Sequence, residues 1–153
     1  MRIELREIHD GNRAHCIALR TTPEQKAYIA SNEDSLGEAQ KEEYAEIARP
    51  FAIYADEVLV GFAMFAFDEN NEDADDRYWL WRFMIDASLQ GKGYGSAALK
   101  EIIEYFRRNG ADQITLSTKE SNEKALGLYH KFGFRENGEM NDEEIVLKLH
   151  LTE

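Results

Sequence analysis

The sequence predicts a mixed α+β fold in which a central, mostly antiparallel mixed sheet of six to seven strands carries helices on both faces. Three observations lead to this fold class. The 153 residues are 43% apolar, which is enough for one domain with a hydrophobic core. Strand patterns joined by short turns come first, and strands that alternate with amphipathic helices follow. We therefore expect a single domain over residues 1–153.

The N-terminal third is predicted to hold one strand and three short helices. Alternating apolar and charged residues predict the strand over residues 2–8. Asp10 is the predicted N-cap of the first helix. The sequence TPEQ at 22–25 predicts the start of a second helix, and the capping box SLGE at 35–38 predicts a third helix that Pro50 ends.

The middle of the chain is predicted to form strands. Residues 51–54 and 58–67 are rich in β-forming side chains and predict a hairpin. Residues 68–76 contain six acids and no base, so we expect a solvated loop there. Residues 78–85 are bulky at both alternating sets of positions, which is typical of a central strand covered on both faces.

The C-terminal half alternates helices with strands. A glycine-rich turn at 90–95 precedes a predicted helix that ends at Asn109 and Gly110. We expect strands over 113–118 and 145–151 and a helix over 122–131. The first of these helices has a buried stripe formed by Leu99, Ile102, Ile103 and Phe106.

Charge is distributed unevenly along the chain. The net charge of −12 argues against general binding to nucleic acids or anionic membranes. Residues 90–135, however, hold eight Lys and Arg against five Asp and Glu, a net charge of +3, so the rest of the chain carries −15. This distribution predicts that one region meets an anion and that another meets cations or solvent.

The cysteine and histidine content restricts the chemistry and the compartment. The lone Cys16 excludes an internal disulfide framework and a cysteine-based zinc site, and the four histidines lack metal-ligand spacing, so we expect no metal. The charged first ten residues do not resemble a signal peptide, and the longest apolar run is too short to span a bilayer. We expect a cytoplasmic protein.

The glycine-rich turn is the most informative segment. It lies where a buried strand meets an amphipathic helix, so free backbone N–H groups gather at the positive end of the helix dipole and can bind an anion. The P-loop pattern is absent. A relaxed dinucleotide fingerprint fits Gly93, Gly95 and Ala98, but that motif belongs in the first β-α unit of a parallel sheet. A turn that only reverses the chain is the other alternative.

Two motifs together resemble the GCN5-related N-acetyltransferase (GNAT) superfamily. The first is the sequence QGKGYG at 90–95, similar to the acetyl-CoA signature Q/R-x-x-G-x-G/A. The second is NEKALGLYHKFGF at 122–134, similar to the pattern N-x-x-A-x-x-x-Y-x-x-x-G-F. Within the superfamily, the strand WLWRFMID at 79–86 with the following turn resembles bacterial spermine and spermidine acetyltransferases.

The resemblance implies a set of residues that bind acetyl-CoA. The backbone of the strand would contact the pantetheine arm and polarise the thioester carbonyl, the turn would bind the pyrophosphate, and Asn122 would contact the arm. Asn122 also suffices as a plain N-cap. Tyr129 would be the general acid that protonates the departing thiolate, although its helical spacing also fits a core residue. The implied cofactor-binding residues are Phe83, Met84, Ile85, Gln90, Gly91, Lys92, Gly93, Tyr94, Gly95, Ser96, Asn122, Lys124 and Tyr129.

The acceptor pocket is less well defined by the sequence. In the mammalian polyamine-acetylating members of the family, the corresponding carboxylate lies on the central strand nine positions before the Gln or Arg of the turn, where this chain has Trp81. The general base is therefore unassigned. Glu33, Asp34 and Glu38 are candidates for it, and we predict Glu33, Asp34, Trp79 and Trp81 as substrate-binding residues, since acids and aromatic faces attract amines.

Together these features predict an acetyl-CoA-dependent N-acetyltransferase in which a primary amine, most consistently that of spermidine or spermine, attacks the thioester directly in a ternary complex. A protein N-terminus or lysine, an amino acid and an aminoglycoside are alternative acceptors. A catalytically silent CoA-binding module is the alternative from another class. The resemblance also implies a homodimer.

Overall fold

The computed structural model describes residues 1–151 and contains a seven-stranded sheet with helices on both faces, which confirms the predicted fold class. The strands lie in the order β1-β2-β3-β4-β5-β7-β6, and neighbours are antiparallel except β4 and β5. The strands are β1 (Ile3–Glu7), β2 (Ala48–Ala55), β3 (Val58–Phe67), β4 (Tyr78–Ile85), β5 (Gln113–Thr118), β6 (Arg135–Asn141) and β7 (Glu144–His150). The helices are α1 (Arg13–Ala18), α2 (Asn32–Ala39), α3 (Tyr94–Arg108) and α4 (Glu123–Lys131).

Each face of the sheet has its own apolar core. On one face, α3 contributes its predicted stripe, and α4 packs Leu128 and Tyr129 against the same cluster. On the other face, α1 and α2 contribute Cys16 and Leu36, which pack against Phe62. Burial raises the pKa of the Cys16 thiol to about 12, so this cysteine is an unreactive thiol at neutral pH.

The N-terminal helices differ from the prediction. Helix α1 begins after Asn12 rather than Asp10. The Thr22 capping box forms, because Thr22 and Gln25 exchange backbone-to-side-chain hydrogen bonds, but only one 3₁₀ turn follows it. Helix α2 is capped by Ser31, whose hydroxyl accepts from the backbone N–H of Asp34, so the predicted capping box at Ser35 is wrong.

Pro50 was predicted to end a helix, but it lies inside β2. Pairing of β2 with β1 begins one residue later, at Phe51, so Pro50 occupies the part of the strand that has β3 alone as its neighbour. Proline is tolerated at such edge positions because its missing N–H removes no ladder bond there. The hydrophobic spacing of residues 36–48 therefore combines the end of α2 with turns and the start of a strand.

Strands β3, β4 and β5 have the predicted bounds, whereas β6 was missed. All seven residues of β6 are exposed and five of them are polar or charged, so this edge strand carries no alternating apolar signal.

The acidic loop over residues 68–76 is held to the sheet by a buried lysine, whereas the sequence predicted a solvated loop. Asp75 accepts a hydrogen bond of 2.5 Å from the buried Lys148, and this bond lowers the pKa of the Asp75 carboxyl.

Candidate active site

The site is organised by a bulge in the central strand. Met64 of β3 pairs with Arg82 of β4 and Phe65 pairs with Leu80, so Trp81 is an extra residue on β4. The bulge reverses the alternation of side chains along the strand. Tyr78 and Leu80 before it therefore face the same core as Phe83 and Ile85 after it, a relation that strict alternation did not predict.

The two parallel strands of the sheet separate immediately after they meet. Within residues 1–151, β4 and β5 pair at one position, Trp79 opposite Thr115. Beyond it β4 has no further pair with β5 among the described residues, while its other edge remains paired with β3 as far as Ile85. Gly61 of β3 makes this close pairing sterically feasible, since a Cβ there would collide with the Met84 carbonyl oxygen and lie 2.9 Å from Ile85 Cδ1.

A cleft of about 1340 Å³ occupies the gap and is lined by residues on both faces of the sheet. We call the part on the α3 and α4 face the glycine side; it is lined by Gly91, Gly93, Gly95, Ser96, Asn122, Lys124 and Tyr129. We call the part on the α2 face the acidic side; it is lined by Glu38, Tyr44, Trp79, Trp81, Arg82, Ser117 and Glu144. The β4 backbone from Phe83 to Ile85 lies between the two.

The turn on the glycine side leads into the N-terminus of α3, where the first backbone N–H groups of a helix have no intrahelical partner. Gly91 and Gly93 have φ of +77° and +87°, in the left-handed region that favours glycine, and Gly93 is the N-cap of α3. The first turn of α3 contains no acid, so the positive end of its dipole is not neutralised. Lys92 and Tyr94 belong to the same turn but lie outside the cleft lining, because Lys92 is exposed to solvent and Tyr94 packs against the core on the α3 face.

Gln90 holds the turn to its surroundings. Its side-chain N–H donates to the carbonyl oxygen of Ile85 at 2.9 Å and to Gln25 Oε1 at 2.8 Å. Its Oε1 accepts from Lys124 Nζ at 3.3 Å, which brings the lysine to the glycine side. Tyr28, three residues after Gln25, donates to Ser121 Oγ at 3.2 Å. The segment at 25–28 therefore lines the cleft and contacts both the turn at 90–95 and the residue that precedes the N-cap of α4.

Asn122 and Tyr129 both line the glycine side. The Asn122 side chain makes no cap hydrogen bond; its Nδ2 donates to Thr118 Oγ1 at 3.1 Å, which ties the start of α4 to the end of β5. Tyr129 packs against Phe134 with ring centroids 5.6 Å apart. Burial raises the pKa of the Tyr129 phenol to about 12, so this hydroxyl keeps its proton at neutral pH.

The acidic side combines aromatic faces with an ion pair. Trp81, the bulge residue, meets Tyr44 edge to face at 5.0 Å. The Arg82 guanidinium lies 5.3 Å from the Trp81 ring centroid and donates to Glu38 Oε2 at 3.1 Å. Among the described residues the buried Arg82 Nε has no hydrogen-bond partner. This side therefore presents both a cation and a carboxylate.

Of the acids predicted for the acceptor pocket, Glu38 lies in the cleft lining and the other two do not. Glu33 and Asp34 are exposed in the first turn of α2, because the helix begins at Asn32, and they lie outside the cleft lining. Glu144, by contrast, lines the cleft although no motif in the sequence singles it out. It follows the β6–β7 turn, whose position depends on the missed strand β6.

Within residues 1–151, the mostly antiparallel sheet opens between its one parallel pair beside a glycine-capped helix, an arrangement that fits an acyltransferase of the acetyltransferase class. Residues 6–134 match the model of the Acetyltransferase (GNAT) family, so the chain belongs to that family and is an N-acetyltransferase. It is 37% identical over 155 residues to the spermine/spermidine N(1)-acetyltransferase of Bacillus subtilis (strain 168), with 97% of this chain and 99% of the relative covered.

Solved structures share the fold. The PaiA N-acetyltransferase of Thermoplasma acidophilum in complex with coenzyme A superposes with a TM-score of 0.71 at 18% identity over 99% of this chain and 100% of that one. The spermidine N-acetyltransferase of Vibrio cholerae in complex with CoA and spermine gives 0.68 at 21% identity over 97% and 94%. None of the helices placed between residues 1 and 151 is long and apolar enough to cross a bilayer.

Proposed function

We propose that the protein transfers the acetyl group of acetyl-CoA to a primary amine of spermidine or spermine, by direct attack in a ternary complex. The observation that carries the proposal is the continuous cleft, which joins an anion-binding helix start on one face of the sheet to acids and aromatic rings on the other. A donor and an acceptor bound from opposite faces would meet in the gap between β4 and β5. The 37% identity to a spermine/spermidine acetyltransferase supports the acceptor.

The glycine side fits the phosphates of a coenzyme. A Cβ at Gly91 or Gly93 would have no neighbour within 4 Å, so the space beside this backbone is free, and at Gly95 the nearest atom to a Cβ is Leu128 Cδ2 at 3.9 Å. We propose that these glycines and Ser96 bind the pyrophosphate. Lys92 and Lys124 add positive charge, and Asn122 contacts the arm of the coenzyme.

The acetyl-CoA supplies the thioester, and residues of this chain position and polarise it. In the proposal, a free N–H of β4 near Phe83 or Met84 donates to the acyl oxygen, an interaction typically worth about 3 kcal/mol in such reactions. Tyr129 donates a hydrogen bond to the departing sulfur. Burial raises the pKa of the phenol to about 12, so Tyr129 keeps its proton at neutral pH and can donate it, as a hydrogen bond or as a proton, when the sulfur departs.

Thiol release tests the activity. The protein is incubated with acetyl-CoA and, separately, spermine, spermidine, a monoamine, an aminoglycoside, an N-terminal peptide and an amino acid. We expect thiol release to be fastest with the polyamines. The KM for spermine should rise steeply with salt, whereas the KM for the monoamine should change little. Tight coenzyme binding without release for any amine would leave the silent binding module as the function.

One observation favours a second candidate function. Arg82 faces the cleft with an unpartnered buried Nε, at least among residues 1–151, and guanidinium groups bind carboxylates well. An amino acid that carries both an amine and a carboxylate would use this arginine. Preferential turnover of the amino acid in the same panel would select this candidate over the polyamines.

A further inference from the structure

Glu144 lies in the cleft lining and is hydrogen-bonded to a serine hydroxyl rather than to a cation. It is the first residue of β7 and is partly buried, and its Oε1 accepts a hydrogen bond of 2.7 Å from Ser117 Oγ on β5. Asn141 Nδ2 approaches the same hydroxyl at 3.5 Å. Since Leu116 and Ile145 face the α3 and α4 core, Ser117 and Glu144 point to the opposite face, toward the acidic side.

The pair also lies beside the point where the strands separate. Thr115 is the β5 residue that pairs with β4, and Ser117 follows it by two positions on the same face. Its hydroxyl is therefore at the edge of the gap, opposite the bulge at Trp81. A reacting amine that enters from the acidic side would pass this hydroxyl before it reaches the β4 backbone.

Glu144 and Glu38, the two acids of the acidic side, differ in the charge of their hydrogen-bond partners. Glu38 is neutralised by Arg82 at 3.1 Å, whereas the partner of Glu144 is a neutral hydroxyl. Asp142 and Glu143 occupy the exposed turn and add negative charge nearby. The charged side chains that line the cleft are Glu38, Arg82, Lys119, Lys124, Asp142, Glu143 and Glu144.

We propose that Glu144, together with Ser117, binds the reacting ammonium of the acceptor and takes its proton. This inference rests on the proposed function. The N–H bond of the ammonium breaks, its proton passes to the Glu144 carboxylate directly or through the Ser117 hydroxyl, and the freed electron pair forms the bond to the acyl carbon. The carbon–sulfur bond then breaks, the second nitrogen proton goes to sulfur, and Glu144 returns its proton to water.

The test compares Glu144→Gln with a charge-matched control. For Glu144→Gln we expect a fall of about 100-fold or more in kcat/KM for spermine, as loss of a general base typically causes. Its affinity for coenzyme A, measured by calorimetry, stays within about twofold. Glu7→Gln changes the same charge on exposed β1 at the far edge of the sheet and should leave kinetics unchanged. Glu144→Asp, which keeps a carboxylate, should recover part of the loss.

The pH profile distinguishes proton transfer from a structural role. Without Glu144 the reaction depends on amine that is already neutral, so the deficit of Glu144→Gln should shrink as the pH rises from 7 toward the amine pKa of about 10. A constant deficit, or equal activity of the two proteins at pH 7, would overturn the inference while wild-type turnover still supported the proposed function. No turnover of any amine by the wild type would overturn the proposed function itself.

Discussion

The two sides of the cleft are assembled differently. The glycine side is built from two short segments, the turn at 91–96 and helix α4 with its N-cap Asn122. The acidic side brings together Glu38 of α2, Arg82 of β4 and Glu144 of β7, which are far apart in the chain. Local backbone geometry therefore determines one side, and long-range packing determines the other.

The largest effect on coenzyme binding is expected from strain in the turn. Gly93→Ala places a side chain in a left-handed conformation, which costs about 1–2 kcal/mol, and points a methyl group into the space beside the turn. We expect the Kd for coenzyme A to rise about 10-fold to 100-fold, measured by calorimetry, with the KM for the amine little changed. This result would show that the glycine side depends on backbone conformation.

Gly110→Ala is the matched control for that variant. Gly110 also has a positive φ, +89°, and open space around its Cα, but it follows the C-terminus of α3 outside the cleft. Thermal unfolding should show a similar loss of stability in both variants. If the two variants weakened coenzyme binding equally, the loss would come from the lower stability of α3 and not from the conformation of the turn at 91–96.

The same contrast explains what the sequence could predict. The turn, α3, β5 and α4 are specified by glycines, caps and apolar stripes within a few residues of each other, and their bounds agree with the structure within one or two residues. The bulge at Trp81 has no local signal, because it depends on how β3 pairs with β4. Glu38 and Glu144 could not be assigned since α2 began earlier than predicted and β6 carries no apolar alternation.

Tyr129 tests the chemistry of the glycine side. Removing the hydroxyl in Tyr129→Phe should lower kcat about 10-fold to 100-fold, with the Kd for coenzyme A within about twofold, because the hydroxyl is proposed to donate when sulfur leaves. Since its pKa is near 12, wild-type activity should show no loss from ionisation of this phenol up to about pH 10.5. Tyr105→Phe, which removes a hydroxyl outside the cleft lining, should keep wild-type kcat. Unchanged kcat in Tyr129→Phe would make Tyr129 a core residue only.

Substitution of Arg82 tests the acidic side, with a smaller expected change in the kinetic constants. Arg82→Gln removes the cation that neutralises Glu38, so a polyamine should bind better and its KM should fall about threefold to tenfold at low salt. The gain should vanish at high salt, whereas the exposed Arg108→Gln at the end of α3 should change nothing. A loss of activity that is largest for an amino acid would instead identify Arg82 as a carboxylate-binding residue and support the second candidate acceptor.

The smallest change in kcat/KM is expected for substitutions at Glu33 and Asp34. These substitutions test whether acids outside the cleft lining contribute to acceptor binding. Both acids are in the first turn of α2, where each carboxylate stabilises the helix by about 0.3–1 kcal/mol, and both point away from the cleft. Glu33→Gln combined with Asp34→Asn should lower the melting temperature slightly and change kcat/KM for spermine by less than about twofold at physiological salt. Because it removes two negative charges and Glu144→Gln removes one, a larger kinetic effect of the double variant would mean that diffuse attraction governs acceptor binding. A negligible effect would mean that contact with the cleft matters more than total charge.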